Sequence, residues 1–452
     1  MNNFVLMEEN DMKCGFSELD ITPALGSIIP GGFGARYSDE VLDALFVRAF
    51  VAKTEEKTVA LAVIDSCGLY IDLTDAVKTR ASELTGIKKE DILIMATHTH
   101  GGGPTLNWGE EIVTDEKYLD FLIKRASDAI YLAYKKAEDS EVYVGKSELT
   151  DVSFIRVYKM KDGSLKTNPQ PAEKDNIDCP TSTIDPEVYV IAVKQNGEFV
   201  GAIANFANHP ATVATNQTTG DYISILSKEM KRLYGIEFVT LFVNGACGNI
   251  NHINPFDMET RAKGRYRVVG SKLAEKVDEA IKSAEIMNDD SLSSISGNVT
   301  LKLRKPSDER FLAAKKHFES LGDDLILSKP SNPNYWDTFF ALQTFWTMLD
   351  KRTQRDAFLQ ILKIGSCYIF GAPAQIFVEF GKKMKNACDD GLCFVSAFSN
   401  DYLGYVPTPE TMVEGVYEAT LATTSCLEPQ AGDKIADAMI DLYKKMSLTE
   451  NN

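Results

Sequence analysis

Cationic side chains are scarce in this 452-residue chain: 48 Lys and Arg stand against 65 Asp and Glu, a formal charge of −17. With no local Lys/Arg cluster to reverse that balance, nucleic acid and anionic membrane are poor partners. No apolar run reaches the ~18 residues that a membrane-spanning helix needs, so membrane insertion is not expected. The opening stretch, MNNFVLMEENDMKCGF, lacks the basic start and the apolar core of a secretory signal. Cysteine pairing is also missing. The eight cysteines are scattered without a C-x-x-C, and several lie in apolar runs, as Cys67 does in AVIDSCGLY. Buried free thiols in a reducing compartment are the simplest reading, and a cytoplasmic protein is expected. No G-x-S-x-G is present, and no serine sits in a strand–glycine–helix elbow, which leaves serine chemistry without support.

What remains is an ordinary globular composition, 44% hydrophobic and 25% charged. Strand-like runs alternate with helical periods: VRAFVAK (47–53), TVALAVID (58–65), a helix near 73–84 that stops at Gly86, DILIMATH (91–98), and a long helix over 115–137. EVYVIAVK and FVGAIANFANH follow a Pro/Asn/Thr-rich loop (166–186). A helix then ends at Gly235, before FVTLFVNGACG (238–248). Residues 285–305 read as an exposed linker and a strand, 307–321 as a helix, and 322–350 as aromatic-rich and unassignable. ILKIGSCYIFGAP and GLCFVSAFSN read as strands around a helix, VEFGKKMKNA, and 430–447 as a final amphipathic helix. The expected fold is α/β: a mixed β-sheet core with helices packed around it, its sites in loops at strand ends. Residues 15–447 are expected to form one domain after a poorly ordered extension over 1–14, and no sequence repeat is visible.

The chain has five histidines. Four follow apolar strands in loops with Gly, Asn or Pro: ATHTHGGGP holds His98 and His100, NFANHPAT holds His209, and NGACGNINHINP holds His252. Loops at one sheet edge can converge on one site. His317, among charges in AAKKHFESL, is expected to face solvent. H-x-H on extended backbone points both rings to one face. They can then share a metal, or one can ligate while the other meets substrate. The glycines after them would let a ligand approach the backbone. Cys247 is a possible nucleophile beside His252, but a small buried residue in a tight turn fits it better. GGFGAR (31–36) lacks the strand–helix context of a nucleotide loop.

Several segments in order, GFSELDITP (15–23), GGFGAR, ATHTHGGGP, ANHP (207–210), NGACGNINH (244–252), FVEFG (377–381) and NDYLGYVPT (400–408), resemble the neutral/alkaline non-lysosomal ceramidase family. They span nearly the whole chain. The resemblance implies a metal-dependent amidase with one zinc ion. Its ligands would be His98, His209 and Tyr405, with His100 lining the site and Arg156 (in SFIRVY) contacting the substrate amide. Three departures stand out. The family's glutamate ligand, in a P-G-E segment, is replaced by Gln375 in GAPAQIF, and an amide is a poorer zinc ligand than a carboxylate. Glu379, one helical turn on, is a possible substitute. The family's G-D-V-S-P-N segment, whose serine is catalytic, reads GNINHI here, with Asn249 and Asn251 in place of Asp and Ser. The family's C-terminal immunoglobulin-like domain has no counterpart.

The expected activity is therefore zinc-dependent hydrolysis of a non-peptide amide bond in a soluble small-molecule substrate, rather than in ceramide. Catalytic zinc needs three protein ligands and acidifies water to a pKa of about 7. His100 is the expected acid or base. Arg156 would offset charge on the carbonyl oxygen, and His252 would add a ligand or a proton-transfer group. Asp65 and Asp221 are candidates for orienting a histidine, or are loop caps. Two other readings compete: a binding protein that kept the fold and lost the chemistry, and an ester or acyl-sugar hydrolase using the same site. Oligomeric state is not legible.

Overall fold

The computed structural model describes residues 12–32, 34–108, 112–213, 215–321, 335–413 and 415–450. Three mixed sheets form its frame. The first holds β1 (Lys13–Asp20), β2 (Phe46–Lys53), β3 (Thr58–Ile64), β4 (Ile92–Ala96) and β5 (Glu138–Asp139), in the order β4-β3-β2-β1-β5. The second holds β6 (Glu141–Glu148), β7 (Glu187–Gln195), β8 (Glu198–Phe206), β9 (Val239–Asn244) and β10 (Glu285–Ile286), in the order β9-β8-β7-β6-β10. The third runs β11-β12-β13-β14: Leu292–Lys302, Gln354–Ile364, Cys367–Gly371 and Leu392–Ser396.

Each sheet contains one parallel pair, and each pair is closed by a helix. β3 and β4 flank α1 (Ile71–Thr85), β8 and β9 flank α3 (Tyr222–Tyr234), and β13 and β14 flank α7 (Val378–Ala387). Parallel neighbours require such a crossover, and the crossover helix covers one face of the sheet. The apolar runs read from the sequence are these strands, buried on both faces. In β3, Ala60, Ala62 and Ile64 face a core shared with α1 and α2 (Glu116–Lys135), whereas Val59, Leu61 and Val63 face the opposite way. That opposite core is common to all three sheets. Phe50 and Leu93 from the first meet Ile191 and Leu241 from the second and Leu362 and Phe394 from the third. Alternation at period two is what allows one strand to serve two cores. Helices α3 and α4 (Arg265–Lys282) cover the outer face of the second sheet, and α7 and α8 (Ala431–Glu450) that of the third.

The α/β expectation holds, with differences in detail. Lys13 and Cys14 belong to β1, and the rest of the expected extension, apart from Met12, lies outside the described residues. The 166–186 stretch is not all loop: Leu165–Thr167 and Ile177–Pro180 flank Val157–Met160 in a three-stranded ladder. These strands are short and polar, so they carry no hydrophobic period to read. Within 285–305, Glu285–Ile286 already pairs with β6, and the long strand β11 starts at Leu292. Asp308–Leu321 forms α5 and Tyr335–Leu349 forms α6, and 322–334 lie outside the described residues. His317 is half-buried rather than solvent-facing, and its Nε2 meets Thr338 Oγ1 at 2.9 Å. All eight cysteines are free, and among the described residues no helix is long and apolar enough to cross a membrane.

Lys78 on α1 reaches the third sheet, where its Nζ donates to Gln360 Oε1 at 3.1 Å and lies 5.1 Å from the Phe358 ring. Burial lowers its ammonium to about 7. In the unfolded chain it holds its proton to about 10.4. Between those values the unfolded state binds more protons, so stability rises with pH across that window. Below it the fold carries a charged buried ammonium. We expect Lys78→Met to stabilise the protein at pH 6, on the order of 1–3 kcal/mol. That gain should shrink as pH approaches 10. Urea denaturation at both pH values checks this, and a pH-independent difference would refute the assignment.

Candidate metal centre

Five of the six segments that follow the strands of the three parallel pairs carry most of the candidate residues. His98 and His100 follow β4, His209 follows β8, Cys247 follows β9, Gln375 follows β13, and Tyr405 lies in the segment after β14. The backbone laces these loops together. Thr97 N donates to Ile64 O (3.0 Å), His98 N to Ser66 O (2.8 Å), and His100 N to Pro210 O in the His209 loop (3.1 Å). His98 adopts φ 68°, as does Phe398 at 58°, a left-handed conformation uncommon outside glycine. The two rings stack with centroids 3.9 Å apart, which fixes the plane of the His98 imidazole.

The three imidazoles converge edge to face, with centroid separations of 4.6 to 5.0 Å. His209 Nε2 lies 3.2 Å from His98 Nε2 and 3.1 Å from His100 Nε2. On the other side of each ring is a main-chain partner. His98 Nδ1 meets Cys67 O at 2.5 Å, His209 Nδ1 meets Cys247 O at 3.4 Å, and His100 is hydrogen-bonded to the Gly31 backbone. A carbonyl only accepts, so Nδ1 of His98 and of His209 must carry the proton, which leaves Nε2 as a bare lone pair. Burial, with the charges of neighbouring groups, holds His98 and His209 well below the usual histidine range. Burial first, then Arg36, lowers His100 to about 3. At neutral pH the rings are therefore uncharged, and the Nε2 lone pairs of His98 and His209 face one another at hydrogen-bond distance.

A cation relieves that repulsion. Two nitrogens about 2.0–2.1 Å from a tetrahedral zinc are about 3.3 Å apart, close to the separations seen here. Gln375 adds a further donor. Its Nε2 donates to Tyr402 Oη (2.5 Å), while its Oε1 is buried without a partner, and its amide interacts with His98. The residues present fit a metal ion held by His98, His100 and His209, with the Gln375 carbonyl oxygen beside them. Cys67, His98 and His100 also offer ligand atoms within 4.8 Å of one another. Cys67 Sγ, however, lies 3.9 Å from His98 Nδ1, the nitrogen committed to the Cys67 carbonyl. Burial raises that thiol to about 12, so it is protonated and a weak donor.

Tyr405 and Gln375 are register partners in a two-residue ladder, so one anchors the other. Arg156 sits 5.3 Å from the Tyr405 ring and hydrogen-bonds its hydroxyl. The guanidinium also donates to Gly248 O (2.7 Å) and forms an ion pair with Glu418, fully buried, at 2.6 Å. Thr167 Oγ1 donates to the other Glu418 oxygen (2.7 Å), and the Tyr417 ring stands 5.6 Å from that of Tyr405. The buried guanidinium thus keeps its charge close enough to depress all three imidazoles.

Some expectations need correction. His100 Nε2 lies in the cluster itself, 3.1 Å from His209 Nε2. His252 neighbours Arg261 and Arg265, and its Nδ1 has no partner. Glu379 does not replace the missing carboxylate, because it receives Asn249 Nδ2 at 3.0 and 3.3 Å. Asp65 pairs with Arg48 (3.0 Å) instead of orienting a histidine. Asp221 ties the loop after His209, accepting from Thr212 N, Val213 N and Tyr222 N. The glycines after His100 admit protein, not ligand: a Cβ on Gly103 would stand 2.4 Å from the Tyr118 ring, and one on Gly101 2.6 Å from Thr219.

Four residues of the site were not read from the sequence as parts of it. Arg36 NH2 donates to His100 O (2.6 Å), and Gly31 packs on the His100 ring. Glu418 and Tyr417 complete the surroundings of Arg156. Only GGFGAR carried a signal, and it signalled resemblance rather than a role.

His98→Ala, His100→Ala and His209→Ala should each reduce bound metal from about one ion per chain to a small fraction, while Cys67→Ala keeps it. Elemental analysis of protein purified without added metal decides this. Full metal content in His100→Ala would return that ring to an acid–base role.

Residues 13–245 match the family described as neutral/alkaline non-lysosomal ceramidase, N-terminal. No curated protein matches the chain significantly by sequence. Among solved structures it is similar to the neutral ceramidase from Pseudomonas aeruginosa, with a TM-score of 0.72, 18% identity, and coverage of 96% of this chain and 74% of that one. A ceramidase complexed with C2 superposes with a TM-score of 0.70 at 18% identity and the same coverage. The match covers just over half of the chain and includes the strands and loops that bring His98, His100 and His209 together, and the chain belongs to the neutral/alkaline non-lysosomal ceramidase family, a family of hydrolases.

Proposed function

We propose that the chain is a zinc-dependent hydrolase of a non-peptide amide bond in a soluble acyl-amide substrate, working in the cytoplasm. One observation carries this reading: three buried imidazoles gather their Nε2 atoms, His209 Nε2 standing 3.1 Å from His100 Nε2 and 3.2 Å from His98 Nε2, with the His98 and His209 protons held on Nδ1. When bound there, zinc supplies Lewis acidity, polarising a carbonyl and acidifying water at neutral pH. His98 and His209 hold their nitrogens in place through the Cys67 and Cys247 carbonyls, and His100 supplies the third donor. Arg156, pre-aligned by Glu418 and Gly248, offers N–H donors to a carbonyl oxygen as negative charge grows on it. Tyr405 shares that guanidinium and lies beside Gln375.

Ceramide itself is disfavoured by what replaces the family's catalytic segment. Asn251 Nδ2 donates to Asn168 Oδ1 (2.8 Å), and Asn249 Oδ1 accepts from Val378 N (2.9 Å). Both asparagines hold backbone elements together and offer no hydroxyl. The same substitutions favour a second reading, a binding protein that retains the metal cluster without turnover. The eight free cysteines support a reducing compartment.

Two outcomes follow. Amide hydrolysis across an N-acyl substrate panel should disappear on chelation and return with zinc. Arg156→Gln should lower kcat about 10²–10³-fold. Turnover that survives metal removal would sink the zinc dependence, and metal-replete protein that turns over neither amides nor esters would sink the hydrolase reading. Gln375→Glu adds a carboxylate to a neutral donor set, so zinc should resist a competing chelator roughly 10-fold better or more. An unchanged zinc dissociation constant would show that Gln375 does not address the metal.

A further inference from the structure

A second gathering of unpartnered buried nitrogens lies in the segment between β9 and α4. His252 Nδ1, Arg261 Nε and Arg265 Nε are all buried without a hydrogen-bond partner, and the His252 side chain itself is nine-tenths buried. Local chain geometry brings them together. His252 follows the ladder that pairs Phe154–Ile155 with Ile250–Asn251. The loop is then folded on itself by Asn254, Asp257 and Thr260: Asn254 N donates to Thr260 Oγ1 (3.0 Å), and Thr260 Oγ1 to Asp257 O (2.6 Å). Arg261 ends the resulting 3-10 turn, and Arg265 opens α4 one helical turn later. Their two guanidinium charges are the ones that bear on the His252 ring.

Each arginine is tethered by one neutral contact that leaves its charge unpaired. Arg261 NH2 donates to Pro169 O (3.3 Å) and Arg265 NH2 to Asp151 O (3.2 Å), both neutral carbonyls. Asp151's carboxylate is taken by Lys272. Among the described residues neither guanidinium has a carboxylate partner, in a chain with 65 acidic side chains and a charge of −17. A buried donor left unsatisfied is destabilising by about 1–3 kcal/mol, and two unpartnered guanidinium N–H groups beside the unpartnered His252 ring call for a shared acceptor. Two forked guanidiniums and an imidazole suit the oxygens of a carboxylate or a phosphate.

The cluster adjoins the centre described above. Asn249 O accepts from Arg156 N (2.9 Å), and His252 is three residues further, about 10 Å of extended chain. Asn168 ties the two regions: its N donates to Arg156 O (2.7 Å), its Oδ1 accepts from Asn251, and its neighbour Pro169 receives Arg261. We propose that His252, Arg261 and Arg265 form an oxyanion subsite that holds an acidic group of the substrate while the imidazole cluster acts on its acyl bond. The substrate half rests on the hydrolase reading; the oxyanion half does not.

The test uses the full chain and two probes, sodium phosphate and sodium acetate, each against sodium chloride at matched ionic strength. Thermal unfolding should show a saturable stabilisation in the millimolar range, equal in His98→Ala, and the better probe identifies the group as phosphate or carboxylate. In Arg261→Gln and Arg265→Gln the midpoint should move at least tenfold higher, with partial recovery in Arg265→Lys as a guard against misfolding. General salting-out acts on all variants alike, so a response identical in wild type and both glutamine variants overturns the subsite. A response lost in His98→Ala assigns the anion to the metal and also overturns it. For turnover, matched N-acyl substrates with and without an acidic group are compared. KM for the acidic one should rise at least tenfold in Arg261→Gln at unchanged kcat, with no change for the neutral one. Equal effects on both overturn the substrate half, whereas anion binding without any turnover in wild type counts against the hydrolase reading alone.

Discussion

Asn244, the last residue of β9, is the stitch on which the site depends. Its carbonyl accepts from Ala397 N (3.0 Å) after β14, and its side-chain Nδ2 donates to Thr97 O (3.0 Å) after β4. One residue of the second sheet is thereby tied to the parallel edges of the other two. Asn205 repeats the device one strand away, donating to Val243 O (2.8 Å) and Val395 O (2.9 Å). Buried main-chain groups beyond a strand end have no ladder to satisfy them, and these amides supply the missing partners. The strand ends are thus fixed relative to one another, and the imidazoles inherit that fixity.

The charge of the site is the second organising fact. Three neutral imidazoles and the Gln375 amide surround the cluster, while the fully buried carboxylate nearby, Glu418, is committed to Arg156 and Thr167. A divalent ion there would keep most of its charge, with Arg156 adding more. That favours binding of an electron-rich carbonyl and makes retention of the ion more dependent on geometry than on charge neutralisation.

Much of this was legible because strands buried on both faces read as continuous apolar runs. TVALAVID, DILIMATH and FVTLFVNGACG announced strands, and their ends announced loops. Asp115 and Gly86 announced helix boundaries by capping chemistry, and Asp115 accepts from Lys117 N and Tyr118 N. The convergence of His98, His100 and His209 was readable in outline for the same reason. The threefold recurrence of a parallel pair with its crossover helix was not, because it is a repetition of topology with no repeated residues. Arg36 and Glu418 were invisible because each acts through main-chain or ion-pair contacts at long sequence separation. His252 reads as one more strand-end histidine, but it follows the Ile250–Asn251 ladder and lies beside Arg261 and Arg265, neighbours that no sequence period announces. The glycines were misread because absence of a side chain looks the same whether ligand or protein fills the space.

The histidine pair from different sheets is separated by 111 residues in sequence, and Asn244 reaches back 147 to its partner. Contacts of that range form late, since chain entropy must be surrendered before they return any energy. The centre therefore cannot be inherited by a fragment. It comes into being when the loops of the first and second sheets meet, so ligand capacity is a property of the assembled tertiary structure and a reporter of its assembly.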